Sequence, residues 1–312
     1  MKILLIGLSR SKIYESQNTI EELKKRGHSV KFVLWRELIF QFYKKEVQIR
    51  KKQGKDLRYY DYIICRSPIP ITVKKGKFIK YRALSKMYRH FLLIVDYANK
   101  YGVHVLNEGV IKRLPHYDKL FQYYQLSKAG LPLVPSVLYT GTKVPVSVYK
   151  FFSFPYIVKN IEGSKGREVY KITDIEQIRG LIKKYGFGRL MIQKYLPIKE
   201  DYRIIVIGNK IIGGMKRIAP SGGFKTNFSA GGFVEKIKVE KVLKKLALKA
   251  AKIVNAEFAG VDIIKYKNKY YILEVNIFPG FQGFEQATKI NIPKKLASYI
   301  ERKYLNQQAK GF

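Results

Sequence analysis

The chain moves between two hydrophobic rhythms. Ile3–Gly7 is a continuous apolar run of strand length, and Asn18–Arg26 sets aliphatic positions at helical spacing before Gly27-His28 interrupts them. Val30–Leu34 and Asp61–Cys65 are short strand-type runs. Tyr81–Tyr101 reads as a helix that stops at Gly102, with the strand Val103–Leu106 after it. Strands alternating with helices predict a parallel α/β lobe, since a parallel connection needs a crossover. No G-x-G-x-x-G follows the first strand, so a dinucleotide site there has no support.

From Asp118 the texture changes. A helix runs through Leu126 and stops at Gly130, while Pro132 and Pro135 keep the next segment extended. Phe154–Lys159, Glu168–Ile172 and Leu190–Gln193 read as strands around a helix at Asp174–Tyr185. Tyr202–Ile207 and Lys210–Met215 flank Gly208-Asn209, and Phe258–Lys265 and Tyr270–Asn276 flank Lys267-Asn268. Both pairs read as hairpins. Val239–Val254 is an amphipathic helix with a lysine face, and Ile292–Tyr304 closes the chain as a helix. There is no internal repeat and no low-complexity linker.

Composition narrows the class. With 312 residues, 46% hydrophobic and 14% aromatic, the chain can bury a large core distributed over two or three lobes. No apolar run approaches the roughly 20 residues that cross a bilayer, so no membrane role is expected. The opening MKILLIGLSR begins like a signal peptide, yet its apolar run Ile3–Leu8 is short and no small-residue cleavage site follows. The single cysteine, Cys65, excludes an intramolecular disulfide and a cysteine-based metal cluster. A soluble cytoplasmic protein is expected. Lys plus Arg number 61 against 23 Asp plus Glu, a net charge of +38. That excess favours polyanionic partners, nucleic acid included, although the basic residues are spread along the whole sequence, as a proteome-wide bias would also spread them.

Three clusters carry chemistry. Lys159 ends a strand, and Glu162-Gly163-Ser164-Lys165-Gly166 after it offers backbone N–H groups and cations to a phosphate chain. It is not a Walker motif, and an ordinary hairpin turn would show similar residues. Glu274 and Asn276 lie two apart in a strand and share a face, while Asp262 sits in the partner strand inside an apolar run. A lone carboxylate is costly to bury there, and three oxygen ligands across one hairpin suit magnesium and nucleotide phosphates. Arg203, Arg217, Lys225 and Asn227 surround a glycine-rich loop. Arginine forks match planar oxyanions, although most arginines on so basic a chain are solvated surface residues.

Taken in order, Asp118-Lys119, Lys159 with its loop, Gln193-Lys-Tyr-Leu196, Asp201-Tyr-Arg203, Lys225-Thr-Asn227 and Asp262…Glu274-Val-Asn276 resemble the ATP-grasp superfamily, and within it the RimK-type glutamate and amino-acid ligases. The resemblance covers about two-thirds of the chain, with an echo at Asp61–Arg66. It implies an α/β (α+β) ATP-grasp fold: a pre-ATP-grasp α/β domain at residues 1–95, a central lobe with the phosphate loop at 96–190, and a C-terminal lobe with the metal site at 191–312. It further implies that Lys119, Lys159 and the loop bind the phosphates of ATP. Gln193, the backbone of Lys194, Tyr195 and Leu196, and Asp201 would hold adenine and ribose. Asp262, Glu274 and Asn276 would ligate Mg2+ or Mn2+, and Arg203, Arg217 and Asn227 would face the substrate and an acyl phosphate. Lys165, Arg167 and Ser229-Ala230 depart from the pattern.

The activity so implied is carboxylate–amine ligation. A carboxylate attacks the γ-phosphate of ATP, and an amine displaces phosphate from the resulting acyl phosphate. The expected partners are ATP, an amino acid with glutamate favoured, and an acidic carboxylate acceptor, either a small molecule or a protein C-terminus, acted on by a homo-oligomer. Two alternatives stand beside it: an amino-acid ligase acting on a cofactor or on a carrier protein of lysine or arginine biosynthesis, and a non-catalytic ATP-binding or ribosome-associated module.

Overall fold

The computed structural model describes residues 1–7, 13–43, 46–66, 80–113, 119–138, 140–141, 153–161, 163, 168–186, 188–220 and 233–309, with the backbone alone for 80–88. The amino-terminal part runs β1 (Lys2–Gly7), α1 (Tyr14–Lys25), β2 (Ser29–Leu34), β3 (Leu38–Tyr43), β4 (Glu46–Lys51), β5 (Tyr62–Cys65), α2 (Lys80–Lys100) and β6 (His104–Val105). The parallel sheet has the order β2-β1-β5-β6, as the alternating strands and helices imply. β3 and β4 form a separate hairpin that the hydrophobic pattern does not foreshadow. Helix α1 begins at Tyr14, four residues before the expected Asn18, and its amino terminus has no side-chain cap.

Alternation along the short strands explains how this sheet is covered. Leu4, Ile6, Ile63 and Cys65 pack on one side with Phe91, Ile94 and Val95 of α2. Ile3, Leu5, Tyr62 and Ile64 pack on the other, in a core shared with residues from the far end of the chain.

Next come α3 (Glu108–Arg113), α4 (Lys119–Lys128) and β7 (Ser136–Leu138). β8 (Tyr156–Asn160), β9 (Val169–Ile172), α5 (Ile175–Tyr185) and β10 (Leu190–Lys194) follow. An antiparallel sheet β7-β10-β8-β9 packs α5 over a small core of its own, built from Tyr156, Val158, Ile172, Ile178, Leu181, Leu190 and Ile192. Asp174 caps α5 by accepting from the Gln177 N–H at 3.0 Å. Val110, Leu126 and Leu131, although they precede this sheet in the chain, lie in the core of the sheet that follows it.

That sheet has the order β13-β12-β11-β14-β15, from β11 (Glu200–Ile207), β12 (Lys210–Ile218), β13 (Phe233–Ile237), β14 (Phe258–Tyr266) and β15 (Lys269–Asn276). All its pairings are antiparallel. The Lys267-Asn268 turn has φ of 46° and 60°, the left-handed pair that a tight two-residue hairpin needs. Helix α6 (Lys241–Ile253) covers one face with Leu243, Ala247, Ala250 and Ala251. The other face begins as core, with Ile205, Ile207, Met215 and Phe258, against α7 (Gln282–Thr288), α8 (Ile292–Gln308) and the amino-terminal sheet. Towards its other end the same face turns polar. Among the described residues no helix is long and apolar enough to cross a membrane.

Candidate active site

The polar end of that face is a row of charged side chains laid down by strand register. Arg217 of β12 stands opposite Asp201 of β11, Arg203 of β11 opposite Asp262 of β14, and Asp262 opposite Glu274 of β15. Asp201 and Arg203 are two apart and share a face. The register of β14 on β15 shifts between Asp262 and Ile263, so a bulge lies directly beside the carboxylate.

The arginines grip the aspartates through both fork nitrogens. Arg203 donates from Nε and Nη2 to Asp262 Oδ1 and Oδ2 at 2.8 and 2.7 Å. Arg217 does the same to Asp201 at 2.5 and 2.8 Å, and its Nη2 also lies 3.0 Å from Asp262 Oδ2. Asp201, Arg217 and Asp262 are each 3% exposed or less. Burial by itself would raise the Asp262 carboxyl, but the two guanidiniums outweigh it and hold its pKa at about 2. Burial opposes charge on Arg217 too, and the two carboxylates more than offset it, raising the guanidinium above its ordinary range. In both arginines Nη1 has no partner among the described residues, which leaves one donor edge of each fork for a ligand oxygen.

Facing the row are two lysines. Lys119, at the start of α4, donates to the Gly163 carbonyl at 2.9 Å and lies 3.9 Å from Glu274 Oε2. Lys159 of β8 is desolvated and stands near Lys119, and together these lower its pKa to about 8. Glu274, Asp262 and Asp201 pull the other way. Gly163 closes a turn onto the Asn160 carbonyl at 3.0 Å, and a Cβ there would come within 2.9 Å of Glu168 Oε2 and 3.0 Å of that carbonyl, so a larger residue would crowd the turn. Glu162, Ser164, Lys165, Gly166 and Asn227 lie outside the described residues.

The remaining candidates line the seam between the lobes. Gln193 of β10 is 2% exposed, and its amide donates to Tyr123 Oη at 2.6 Å and Ser136 Oγ at 2.9 Å. The Lys194 N–H bonds the Pro135 carbonyl, the Tyr195 ring lies 4.4 Å from Lys171 Nζ, and Leu196 is buried beside Val134 and Ile264. Glu274 and Asn276 offer hard oxygens, the type that magnesium prefers, whereas both Asp262 oxygens already accept from Arg203 and Arg217, so Asp262 would join an ion only by releasing an arginine. The side chains of Glu274 and Asn276 accept no hydrogen bond among the described residues, and the Glu274 side chain is 34% exposed. The side-chain oxygens of Glu274 and Asn276 therefore fit a hard divalent cation.

The pairing across β12, β11, β14 and β15 is the feature that sequence reasoning missed. It placed Asp201 and Arg217 singly, whereas the register joins them with Arg203 and Asp262 in one buried network. The i, i+2 spacing of Asp201 and Arg203 was the available signal.

Comparison with known proteins identifies the family. A family model described as the RimK-like ATP-grasp domain matches residues 118–300. A protein named Glutamate--LysW ligase ArgX from Sulfolobus acidocaldarius is 32% identical over 83% of this chain and 95% of its own. A Probable alpha-L-glutamate ligase from Methanococcoides burtonii is 31% identical over 97% of this chain and 96% of its own. Among solved structures, the ATP-grasp ligase PsnB complexed with a minimal precursor superposes with a TM-score of 0.70, at 20% identity, over 97% of this chain and 99% of that one. The D-alanine--D-alanine ligase of Bacillus anthracis complexed with ATP gives 0.66 at 16% identity, with both chains covered in full. With its fold, its paired charges and its lysines in place, the chain belongs to the RimK-like ATP-grasp family, and it is an ATP-dependent ligase that forms carbon–nitrogen bonds between a carboxylate and an amine.

Proposed function

We propose that the amine is that of glutamate and that the acceptor is the carboxylate of an acidic peptide or protein carboxyl terminus. The observation that carries the reading is the face-to-face arrangement of Lys119 and Lys159 with the Arg203–Asp262–Glu274 row. Phosphoryl transfer needs alignment and charge neutralisation more than covalent help, and the cleft supplies both. Lys119 and Lys159 bind the phosphates. Asp262, Glu274 and Asn276 would hold a magnesium ion, which supplies positive charge beside the phosphates when bound. The acceptor carboxylate oxygen forms its bond to the γ-phosphorus as the β–γ bridge breaks and ADP leaves. The amine nitrogen then bonds the acyl carbon as phosphate departs. The Nη1 edges of Arg203 and Arg217, which meet no partner among the described residues, would neutralise the oxyanion between these steps.

Glutamate as the amine draws support from relatives named as glutamate ligases that align over most of their lengths. An acidic acceptor draws support from the net charge of +38. A second reading, with a carrier protein as acceptor, rests on the relative named for LysW. The test is ADP release from Mg-ATP with glutamate and a synthetic peptide ending in glutamate, followed by mass spectrometry of the peptide. A gain of glutamyl residues that vanishes in Glu274→Ala supports the proposal. ADP release without any change in the peptide would rule out this acceptor.

A further inference from the structure

Gln193 takes no part in the chemistry above, yet it is almost fully buried with one of its polar atoms unpaired. Ser136 Oγ donates to the Val134 carbonyl at 2.7 Å, which uses its single proton. It can then serve Gln193 only as an acceptor. Gln193 Nε2 donates to it at 2.9 Å and to Tyr123 Oη at 2.6 Å, so both amide hydrogens are spent on the protein. Turning the amide over would set Gln193 Oε1 against the Ser136 oxygen with no proton between them, unless the Val134 carbonyl gave up its donor. The amide therefore has one orientation, and its Oε1 meets no donor among the described residues. A buried acceptor in that condition is costly until a ligand supplies a proton.

Strand register places this group beside the phosphate lysines. Gln193 stands opposite Ser136 on one side and Ile157 on the other, and Met191 stands opposite Lys159. Residues two apart share a face, so Ser136, Gln193 and Lys159 lie on one face of the central sheet. Tyr156, Val158, Leu190 and Ile192 fill the core on the other. Tyr123 follows Lys119 by one turn of α4 and projects to the same side as that lysine. The two lysines and the Tyr123–Gln193–Ser136 group therefore border the same cleft, and Val134 and Leu196 pack with Ile264 beside them as an apolar floor. A nucleotide whose phosphates rest on the lysines would carry its base towards that floor and the Gln193 oxygen. A base that offers an N–H there satisfies Oε1, whereas one that offers another oxygen leaves it unpaired and repelled. Adenine has an exocyclic amino group where guanine and hypoxanthine have a carbonyl.

We propose that Ser136 and Tyr123 are positioning residues that hold the Gln193 amide with its oxygen towards the base of the bound nucleotide, and that this fixed oxygen selects a 6-amino purine over a 6-oxo purine. Ser136 acts through Gln193, and the Val134 carbonyl acts through Ser136. The choice of nucleotide is thereby set by a bond between a hydroxyl and a backbone carbonyl two residues away. The inference concerns the nucleotide alone and stands apart from the glutamate and acceptor readings.

The test is calorimetric binding of ADP and of IDP with magnesium present, which needs neither an amine nor an acceptor. IDP has a carbonyl where ADP has the exocyclic amino group. The wild-type protein is expected to bind ADP on the order of 10- to 100-fold more tightly, the difference between a satisfied and an unpaired buried acceptor. Ser136→Ala releases the amide to turn and is expected to weaken ADP while strengthening IDP, so that the ratio falls by about tenfold. Ser136→Thr keeps the hydroxyl and is expected to restore the wild-type ratio. Tyr123→Phe removes the other acceptor of the amide and is expected to lower the ratio too, and it carries the test alone should thermal unfolding show Ser136→Ala to be unfolded. A wild-type protein indifferent to the base overturns the role of Gln193. Variants that keep the ratio, or lose ADP and IDP equally, overturn the positioning role. Failure to ligate glutamate strikes only at the substrate reading, because that reading is tested by turnover and this one by nucleotide affinity.

Discussion

Arg217 Nη2 lies 3.0 Å from Asp262 Oδ2 while Arg217 also grips Asp201, so one guanidinium joins two carboxylates on neighbouring strands. The contact links three strands through a group that is almost fully buried. Removing one member of such a network leaves charge without compensation.

Arg217→Met is accordingly expected to destabilise the protein by about 3–5 kcal/mol and to reduce turnover together with stability. Adding Asp201→Asn should restore part of the stability, because the surplus buried charge goes with it. Urea unfolding of the single and double variants measures both effects. Additive losses would show that the two side chains do not interact.

Glu274 behaves differently, because its carboxylate is partly exposed and accepts no hydrogen bond among the described residues. Glu274→Ala should change stability by less than about 1 kcal/mol while lowering kcat/KM by roughly a hundredfold or more. Unfolding curves and ADP release on the same preparation separate the two.

Lys159 makes the site sensitive to pH. Its pKa of about 8 lies below the ordinary lysine value of 10.5, so the folded protein holds this proton less tightly than the unfolded chain. Its burial therefore costs stability below pH 8, and that cost fades as pH rises towards 10.5. A bound phosphate favours the charged form, so nucleotide binding at pH 8 should take up about half a proton. Calorimetry of ADP binding in buffers of different ionisation enthalpy reads this directly. Proton uptake should disappear at pH 6 and in Lys159→Met.

Gly163→Ala tests the turn that presents its carbonyl to Lys119. The added Cβ would lie 2.9 Å from Glu168 Oε2 and 3.0 Å from the Asn160 carbonyl, so the Glu168 side chain has to swing away and the turn to give by a few tenths of an ångström. The KM for ATP is expected to rise about tenfold as Lys119 loses its anchor, with a smaller change in kcat. An unchanged KM would detach this turn from nucleotide binding.

Much of the fold was legible because its signals are local. The hairpin around Lys267-Asn268 shows both its turn chemistry and its apolar arms, and Asp262 stands out as a carboxylate inside one of those arms. The parallel amino-terminal sheet followed from runs such as Ile3–Gly7 and Asp61–Cys65. The hairpin of β3 and β4 was not legible, since the residues between its arms are Lys44-Lys45 and offer no glycine, proline or asparagine. The start of α1 at Tyr14 is set by Tyr14–Glu285 and Glu15–Phe281, contacts spanning more than 260 positions, which no window of sequence contains. Arg203 and Asp262 lie 59 residues apart, so their pairing depends on the β11–β14 register rather than on either neighbourhood.

The shared core of the first and last elements bears on how the protein is made. Ile3 and Leu5 of the first strand are buried with Ile292, Leu296 and Ile300 of the final helix. Arg26 and His28 both bond Glu301, at 2.7 and 2.9 Å. A ribosome releases the opening strands long before it releases that helix, so one apolar face of the nascent sheet stays uncovered through most of translation. The small core around Val158 and Ile192 has no such wait. The middle of this protein can therefore mature before its beginning, and a chain cut short near its end would leave its first strands exposed to chaperones and proteases.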